Sequence, residues 1–322
     1  MIQALHPAPG RDRWRERAGL SPMAWRARTA ETERLVAARE GAFDVLLQFY
    51  CVFAPGRLEA RRPYALYLDS TLALTRRHYR RSAPLTPWAA SRWIDLERAV
   101  YGGAHRLFPM SDWVRRSLIA DYRVDDERIV VVGAGSNLVP SSLPERPDGP
   151  PVALFVAFEW VRKGGPELLE AWKAVRARIP DAELWIVGTR DTHSPEGEDG
   201  IRWFGRIADK ARLAEIYSSA TAFALPSRFD PFPHVLREAL GHGVPCVATR
   251  VGAVDEIVSD GEDSVLIEPG DPAALAEGLI ALLGDRDRAA AMGRAGRARM
   301  LDAVTWDHVA AKMAPGLAAL PA

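Results

Sequence analysis

Two carboxylates and a lysine in the second half of the chain have the spacing of a phosphosugar-binding site. Asp230 and Glu238 are eight positions apart, about two helical turns, so both can face one crevice. A carboxylate can accept hydrogen bonds from two sugar hydroxyls. Lys163 precedes Gly164 and Gly165, which let a phosphate approach the backbone. This pattern indicates recognition of a phosphorylated sugar. A simpler alternative stays open, in which Asp230 only caps a helix and Glu238 is solvated.

Such a site requires a strand, a loop and a helix start around the carboxylates. Residues 222–225 form an apolar run typical of a buried parallel strand, Pro226 and Pro231 then break the backbone, and a helical pattern resumes at 236–240. In open α/β sheets, ligands bind at the carboxyl ends of the strands. A helix start also offers free N–H groups to an anion. A second apolar run, at 152–157, precedes the lysine loop in the same way.

Strands alternate with helices along the chain, which predicts an α/β protein with parallel, doubly wound sheets. Strands are predicted at 43–52, 63–68, 106–110, 129–132, 152–157, 183–187, 201–204, 222–225, 244–249 and 265–267. Ser111 and Asp271 are predicted to cap the helices that follow them. The segment 138–151 is rich in Pro, Ser and Gly and lacks apolar periodicity, so it is predicted to link two domains.

Composition is that of an ordinary globular protein, with 322 residues, 48% hydrophobic and 26% charged. Residues 1–150 hold 23 Arg and no Lys against 17 Asp plus Glu, a net charge of +6, so the remainder carries −6. This asymmetry is compatible with a peripheral contact to an anionic membrane surface and equally with a solvated Arg-rich face. No nucleic-acid-binding signature accompanies the arginines, so no nucleic-acid partner is expected. Without a signal peptide or a long apolar run, we expect a cytoplasmic location, with any membrane contact on the inner face.

Metal and thiol chemistry are not expected. Asp285 and Asp287 form an isolated D-x-D, but acidic residues at a helix start are favoured by the helix dipole alone. Cys51 and Cys246 lie in apolar runs without other potential ligands nearby, so both are predicted to be buried free thiols.

The carboxylate motif resembles the acid-x7-acid motif of the family 4 retaining glycosyltransferases (glycosyl transferases group 1), with Asp230 where that family more often has Glu. Three flanking segments resemble the family in the same order, at 161–188, 204–227 and 251–279. The resemblance implies a GT-B fold, in which two Rossmann-like doubly wound domains face a cleft, here with a shortened N-terminal domain. The implied boundaries are 1–137 for the acceptor-side domain, 138–151 for the linker, 152–302 for the donor-binding domain and 303–322 for a helix that crosses back.

The same resemblance implies a metal-independent retaining transfer of a hexose from a nucleotide-diphosphate sugar, a co-substrate that takes the place of a cofactor. The acceptor is a glycan, a lipid-linked sugar or a small molecule. Lys163 and Asp230 would act on the donor. Asp69 follows a strand where the family often has His, so it would orient the acceptor hydroxyl or take its proton. The alternative for Asp69 is a helix N-cap.

The residues implied to line the donor site are Arg162, Lys163, Gly164, Arg206, Ile207, Asp230, Pro231, Phe232, Pro233, His234, Val235 and Glu238. Lys163 occupies the family's phosphate-binding lysine, while the family's arginine aligns with Phe158. Either Arg162 substitutes for that arginine or the phosphate is held more weakly. Arg206 and Ile207 would lie beside the base. Pro233 lacks an N–H, so one phosphate contact expected in the family would be missing.

Two other functions remain open. No counterpart of the family's opening strand and glycine-rich loop is found before Phe43, which raises the hypothesis of a truncated, non-catalytic GT-B protein that binds a nucleotide sugar or a partner chain. Another GT-B enzyme, an epimerase or a phosphorylase, is a third hypothesis, and the ordered motifs argue against it.

Overall fold

The computed structural model describes residues 21–39, 41–55, 63–136, 138–140, 142, 149–188, 200–303 and 305–320. The chain divides into two compact units, Met1–Gly133 with Ala310–Ala322, and Ala134–Val309. The linker predicted at 138–151 lies largely outside the described residues, and the predicted domain boundaries stay predictions. None of the described helices is long and apolar enough to cross a lipid bilayer.

The first unit contains a parallel sheet with the order β1-β2-β3. Its elements are α1 (Pro22–Ala37), β1 (Leu46–Phe49), β2 (Tyr64–Leu68), α2 (Leu72–His78), α3 (Pro87–Gly103), β3 (Arg106–Pro109) and α4 (Asp112–Tyr122). Every residue of the central strand β2 is buried, as expected for a strand covered on both faces. Trp93 and Tyr101 of α3 are among the large, fully buried side chains of its core.

The strand predicted at 129–132 is wrong as a regular strand. An isolated bridge joins Ile129 to Leu107, and Val132 N donates to Pro109 O at 3.1 Å, so the segment runs beside β3 without forming a ladder. Pro109 has no N–H to return a bond to this segment, which stops the pairing. The strand predicted at 43–52 shortens to β1 because the next residue, Tyr50, has a φ of 60°.

The second unit contains a six-stranded parallel sheet with the order β6-β5-β4-β7-β8-β9. The strands are β4 (Val152–Ala157), β5 (Glu183–Gly188), β6 (Ile201–Gly205), β7 (Ala222–Leu225), β8 (Cys246–Thr249) and β9 (Ser264–Ile267). The helices are α5 (Gly165–Arg178), α6 (Lys210–Ser219), α7 (His234–Gly241), α8 (Val254–Ile257), α9 (Pro272–Leu283), α10 (Arg286–Ala303) and α11 (Trp306–Ala318), whose last part belongs to the first unit. All six strands predicted for this half are confirmed.

The continuous apolar runs of β4, β7 and β8 are fully buried because these strands occupy the middle of the sheet. The predicted helix caps are confirmed, since Ser111 Oγ accepts from Val114 N at 3.3 Å and Asp271 Oδ1 accepts from Ala274 N at 2.9 Å. Cys51 and Cys246 are buried and unbridged, as predicted.

Candidate functional site

The loops that carry Lys163 and Asp230 leave the second sheet at its topological switch point. β4 and β7 are hydrogen-bonded neighbours, but the chain continues from β4 toward β5 on one side and from β7 toward β8 on the other. The two connections diverge and leave a crevice at the carboxyl ends of these strands. Both predicted residues therefore lie at the point of the sheet where ligand sites form.

Gly164 is the contact at which the two loops meet. Its φ is +80°, and a Cβ built on it would lie 1.9 Å from Pro226 O. Arg162 ties the loops together from both ends, because its backbone oxygen accepts from Arg228 N and its Nη1 donates to Phe229 O, each at 2.8 Å. The backbone around Lys163 is therefore fixed against the backbone around Asp230.

Lys163 Nζ and Asp230 Oδ2 form an ion pair that joins the two loops. The side chains are only 12% and 7% exposed, so water screens the pair poorly. Removing one partner would leave an uncompensated buried charge, which is strongly destabilising. The alternative that Asp230 caps the following helix is wrong, since α7 begins after Pro233 without a side-chain cap.

A third loop, after β8, packs against the backbone of the Asp230 loop. Gly252 has a φ of +59°, and a Cβ there would lie 2.0 Å from Asp230 O. Ala253 N donates to Pro231 O at 3.1 Å. The carboxylate loop is thus held between two glycine contacts, Gly164 on one side and Gly252 on the other, which leaves its backbone little room to move.

Glu238 is half-buried and accepts a hydrogen bond from another helix, so the alternative that it is only solvated is wrong. Its Oε2 accepts a hydrogen bond from Tyr217 Oη at 2.9 Å. Burial raises the pKa of Glu238, while that bond and the charges of Arg237 and Lys163 oppose the rise in pKa. Glu238 lies on α7, the helix that follows the Asp230 loop, and Asp230 pairs with Lys163, so all three residues lie around the carboxyl ends of β4 and β7.

Tyr217 is itself held by the helix that carries Glu238. Its ring stacks on His242 with centroids 5.1 Å apart and an interplanar angle of 20°. Nδ1 of His242 lies 2.8 Å from Glu238 O. Burial lowers the pKa of His242 and raises the pKa of Tyr217, so both rings are neutral at pH 7. A neutral phenol therefore positions the Glu238 carboxylate.

The chain is similar to known proteins in sequence and in fold. Residues 150–285 match the family "Glycosyl transferases group 1". Alpha-maltose-1-phosphate synthase from Mycolicibacterium smegmatis is 28% identical over 270 residues, which cover 70% of this chain and 68% of that protein. The MMP alpha-(1->4)-mannosyltransferase from Mycolicibacterium hassiacum is 27% identical over 298 residues, covering 87% and 71% of the two chains. The structure of Anabaena HepE in complex with UDP and glucose superposes with a TM-score of 0.71 and 18% identity, covering 90% of this chain and 81% of HepE.

The fold is that of the GT-B glycosyltransferases, and residues 150–285 match the sequence of that class of enzyme. The matched region contains every residue predicted for the donor site of this glycosyltransferase, from Arg162 to Glu238. Asp69 is the predicted site residue that lies outside it.

Arg162 of this glycosyltransferase is engaged within its own loop. In addition to the bond to Phe229 O, its guanidinium pairs with Glu159 at 2.8 Å. Arg206 lies with its guanidinium carbon 5.9 Å from the ring centroid of Phe158, the residue aligned with the family's arginine. The predicted roles of Arg162 and Arg206 toward the donor stay predictions, and the contacts of Arg162 brace the two loops against each other.

The remaining predicted donor-site residues lie at the start of α7 and after β6. Phe232 is buried, with the ring of His234 5.8 Å away, and Pro233 is the N-cap. Desolvation lowers the pKa of His234, Arg237 and Lys163 lower it further, and Asp230 opposes them, so this ring shares the field of the ion pair. Val235 and Ile207 are half-buried.

Two residues of the site were missed in the sequence. Arg237 is 4% exposed and places its guanidinium carbon 5.3 Å from the Phe232 ring centroid. Its signal was a second charge, next to Glu238, inside the apolar pattern at 235–240. Tyr217 lies 21 positions before Glu238, and no local pattern joins residues so far apart.

Asp69 follows β2 in the first unit and is half-buried. The alternative that it caps α2 is wrong, because Thr71 is the N-cap and accepts from Leu74 N at 3.3 Å. Asp285 has the helix-start role, since its Oδ1 accepts from Arg288 N at 2.9 Å. In the described part of the chain, no group of three or more His, Cys, Asp or Glu side chains is arranged to hold a metal ion.

Proposed function

We propose that this glycosyltransferase transfers a hexose from a nucleotide-diphosphate sugar, with retention of configuration and without a metal ion. The observation that carries the proposal is the buried Lys163–Asp230 ion pair, held by three interlocked loops at the sheet's switch point. A cation beside a carboxylate matches a ligand that joins a diphosphate to a polyhydroxylated ring. Glu238, in the same electrostatic field, supplies a second carboxylate for the ribose hydroxyls.

Each group has one task in the transfer. Lys163 stabilises the negative charge that develops on the departing diphosphate. Asp230 accepts hydrogen bonds from hydroxyls of the transferred sugar, and Glu238 accepts them from the ribose. The similar HepE structure holds UDP and glucose, which supports UDP-glucose as the first donor to test.

The bond from the sugar C1 to the diphosphate oxygen breaks as the acceptor oxygen bonds to C1 on the same face, which retains the configuration. The acceptor proton passes to the departing phosphate oxygen. The positive charge of Lys163 takes the place of a metal ion. The leaving diphosphate takes the electron pair of the bond that breaks.

The test is release of nucleoside diphosphate by the purified full chain from a panel of UDP-, GDP- and ADP-sugars, measured with EDTA present. Release from one donor is expected, and Glu238→Gln is expected to weaken binding of that nucleotide at least tenfold. Glu215→Gln, on the exposed surface of α6, is the matched control and should bind as the parent does. The anomeric configuration of the product, read by proton NMR, tests retention.

Three results would overturn parts of this proposal. Nucleotide binding without release, even with acceptor sugars added, would favour a non-catalytic binding protein. Loss of activity in EDTA that Mg²⁺ restores would overturn metal independence. Equal affinity of Glu238→Gln and the parent would remove Glu238 from the donor site.

A further inference from the structure

An exposed aromatic pair lies at the carboxyl end of β1 in the first unit. Phe49 and Tyr50 are 53% and 46% exposed, and neighbouring Val52 is exposed as well. Two exposed aromatic side chains next to an exposed valine form an apolar patch, and such patches often mark a binding site. They lie at the end of a parallel sheet where α/β proteins place their ligands.

The surrounding backbone holds this pair in a fixed geometry. The buried amide of Gln48 donates to Tyr50 O and Phe53 O, each at 2.9 Å, and Tyr50 N donates to Tyr67 O at 2.9 Å. The rings of Phe49 and Tyr67 meet edge to face, with centroids 5.2 Å apart. The loop is therefore an ordered platform.

Tyr50 adopts a backbone conformation that residues with a Cβ rarely adopt, with a φ of 60°. Glycine or asparagine would fit this position with less strain. Strained residues of this kind cluster at functional sites, where the surrounding structure holds them in place. The strain points to a function for the tyrosine side chain.

Asp69 lies beside the platform. Phe49 pairs with Tyr67 across the parallel strands, so Tyr50 lies next to the last residue of β2, and Asp69 follows it. Partial burial and the charge of Asp69 raise the pKa of Tyr50, so its phenol stays protonated and can donate. One aromatic face, one phenol and one carboxylate thus share the end of this sheet.

We propose that Phe49, Tyr50 and Asp69 bind a sugar ring of the acceptor. The C–H face of a pyranose is apolar and packs against an aromatic ring, while its rim hydroxyls bond to the Asp69 carboxylate and the Tyr50 phenol. This inference rests on the proposed transferase function and narrows its acceptor to a glycoside. A lipid surface fits less well, because the Asp69 carboxylate would face anionic headgroups.

The test is saturation-transfer NMR on the full chain with methyl α-D-glucopyranoside, methyl α-D-mannopyranoside and maltose as probes, with UDP affinity measured in parallel. We expect saturation of ring C–H protons of at least one probe. Phe49→Ala and Asp69→Asn should each weaken binding of that probe at least tenfold and leave UDP affinity within twofold. Trp88→Ala, an aromatic residue 67% exposed on α3, is the matched control and should bind as the parent does.

Several outcomes overturn the inference. It fails if no probe is saturated by a parent chain that binds UDP, or if Phe49→Ala binds the glycoside as the parent or as Trp88→Ala does. Co-flotation with phosphatidylglycerol vesicles that Phe49→Ala abolishes, without glycoside binding, would identify a membrane contact instead. If the parent chain binds glycosides but no nucleotide, the acceptor site proposed here is supported and the proposed donor site is refuted.

Discussion

The proposed role of Glu238, binding two ribose hydroxyls, requires an ionised carboxylate, and the burial of Glu238 works against ionisation. Desolvation raises the pKa of its carboxyl, and the hydrogen bond from Tyr217 is the largest effect in the opposite direction. The phenol is neutral, so it donates its O–H to the carboxylate. A hydrogen bond donated to the ionised form of a carboxyl group stabilises that form. Tyr217 is therefore a positioning residue that also keeps Glu238 charged.

Replacing Tyr217 by Phe should weaken nucleotide binding about five- to tenfold at pH 7, the value of one hydrogen bond of about 1–1.4 kcal/mol. The pKa of Glu238 should rise further in the variant. In a titration toward acid, the variant should therefore begin to lose nucleotide affinity at a higher pH than the parent does. Calorimetric titration with the nucleoside diphosphate from pH 5 to 9 measures both effects.

Tyr64→Phe is the control for that experiment. Tyr64 is also buried and donates to Val100 O at 2.6 Å, but it lies in the first unit. An equal loss of affinity in both variants, or an unchanged pH profile in Tyr217→Phe, would refute the positioning role.

Among elements, Glu97 joins three helices of the first unit. From α3 it accepts from the backbone N–H of Leu72 at the start of α2 and from Tyr122 Oη on α4. Burial raises the pKa of Glu97 to about 8. The unfolded chain ionises this group at its ordinary pKa, so the folded chain holds one more proton between the two values and loses stability as the pH rises through that range.

Glu97→Gln should flatten this pH dependence. Between pH 5 and pH 8 the free energy of unfolding of the first unit should fall less in the variant than in the parent, by about 3–5 kcal/mol. Urea unfolding at several pH values, followed by tryptophan fluorescence, measures the difference. Glu127→Gln, at an exposed position, should retain the parent's slope. If Glu97→Gln retains it too, the carboxylate does not control the stability of this unit.

The close contact between the Lys163 loop and the Asp230 loop depends on the absence of a side chain at Gly164. Gly164→Ala should destabilise the second unit by about 2–4 kcal/mol and abolish nucleotide binding, because the Cβ would collide with Pro226 O and φ is positive. Gly261→Ala is a matched control with a φ of +78° and no atom within 4 Å of the added Cβ, so it shows the effect of backbone strain alone, about 1 kcal/mol. If thermal unfolding shows that Gly164→Ala and Gly261→Ala lose the same stability, the loop contact at Gly164 is not what destabilises the variant.

For the whole molecule, a bound donor should appear as added stability. A nucleoside diphosphate at 100 times its Kd should raise the free energy of unfolding of the unit that binds it by about 2.7 kcal/mol. Glu238→Gln should show a smaller gain at the same concentration, because its Kd is higher. Chemical unfolding with and without nucleotide tests this, and identical gains in both proteins would contradict it.

How much the sequence could predict depends on the range of the interactions. Apolar runs and turn residues predicted the strands of the second sheet and the loops of Lys163 and Asp230, because these signals are local. The pairing of Lys163 with Asp230 could not be predicted, because they are 67 positions apart and meet only through the strand order. The false strand at 129–132 has the right residues for pairing, but Pro109 on its partner strand prevents it.

Tyr50 has a consequence for anyone who evolves this protein in the laboratory. A screen for heat resistance alone should select glycine or asparagine at position 50 early, because either relieves the positive φ without disturbing the bond from its N–H to Tyr67 O. The selected proteins would resist thermal unfolding better than the parent and would lack the phenol of Tyr50. Position 50 is therefore where durability and turnover would favour different residues.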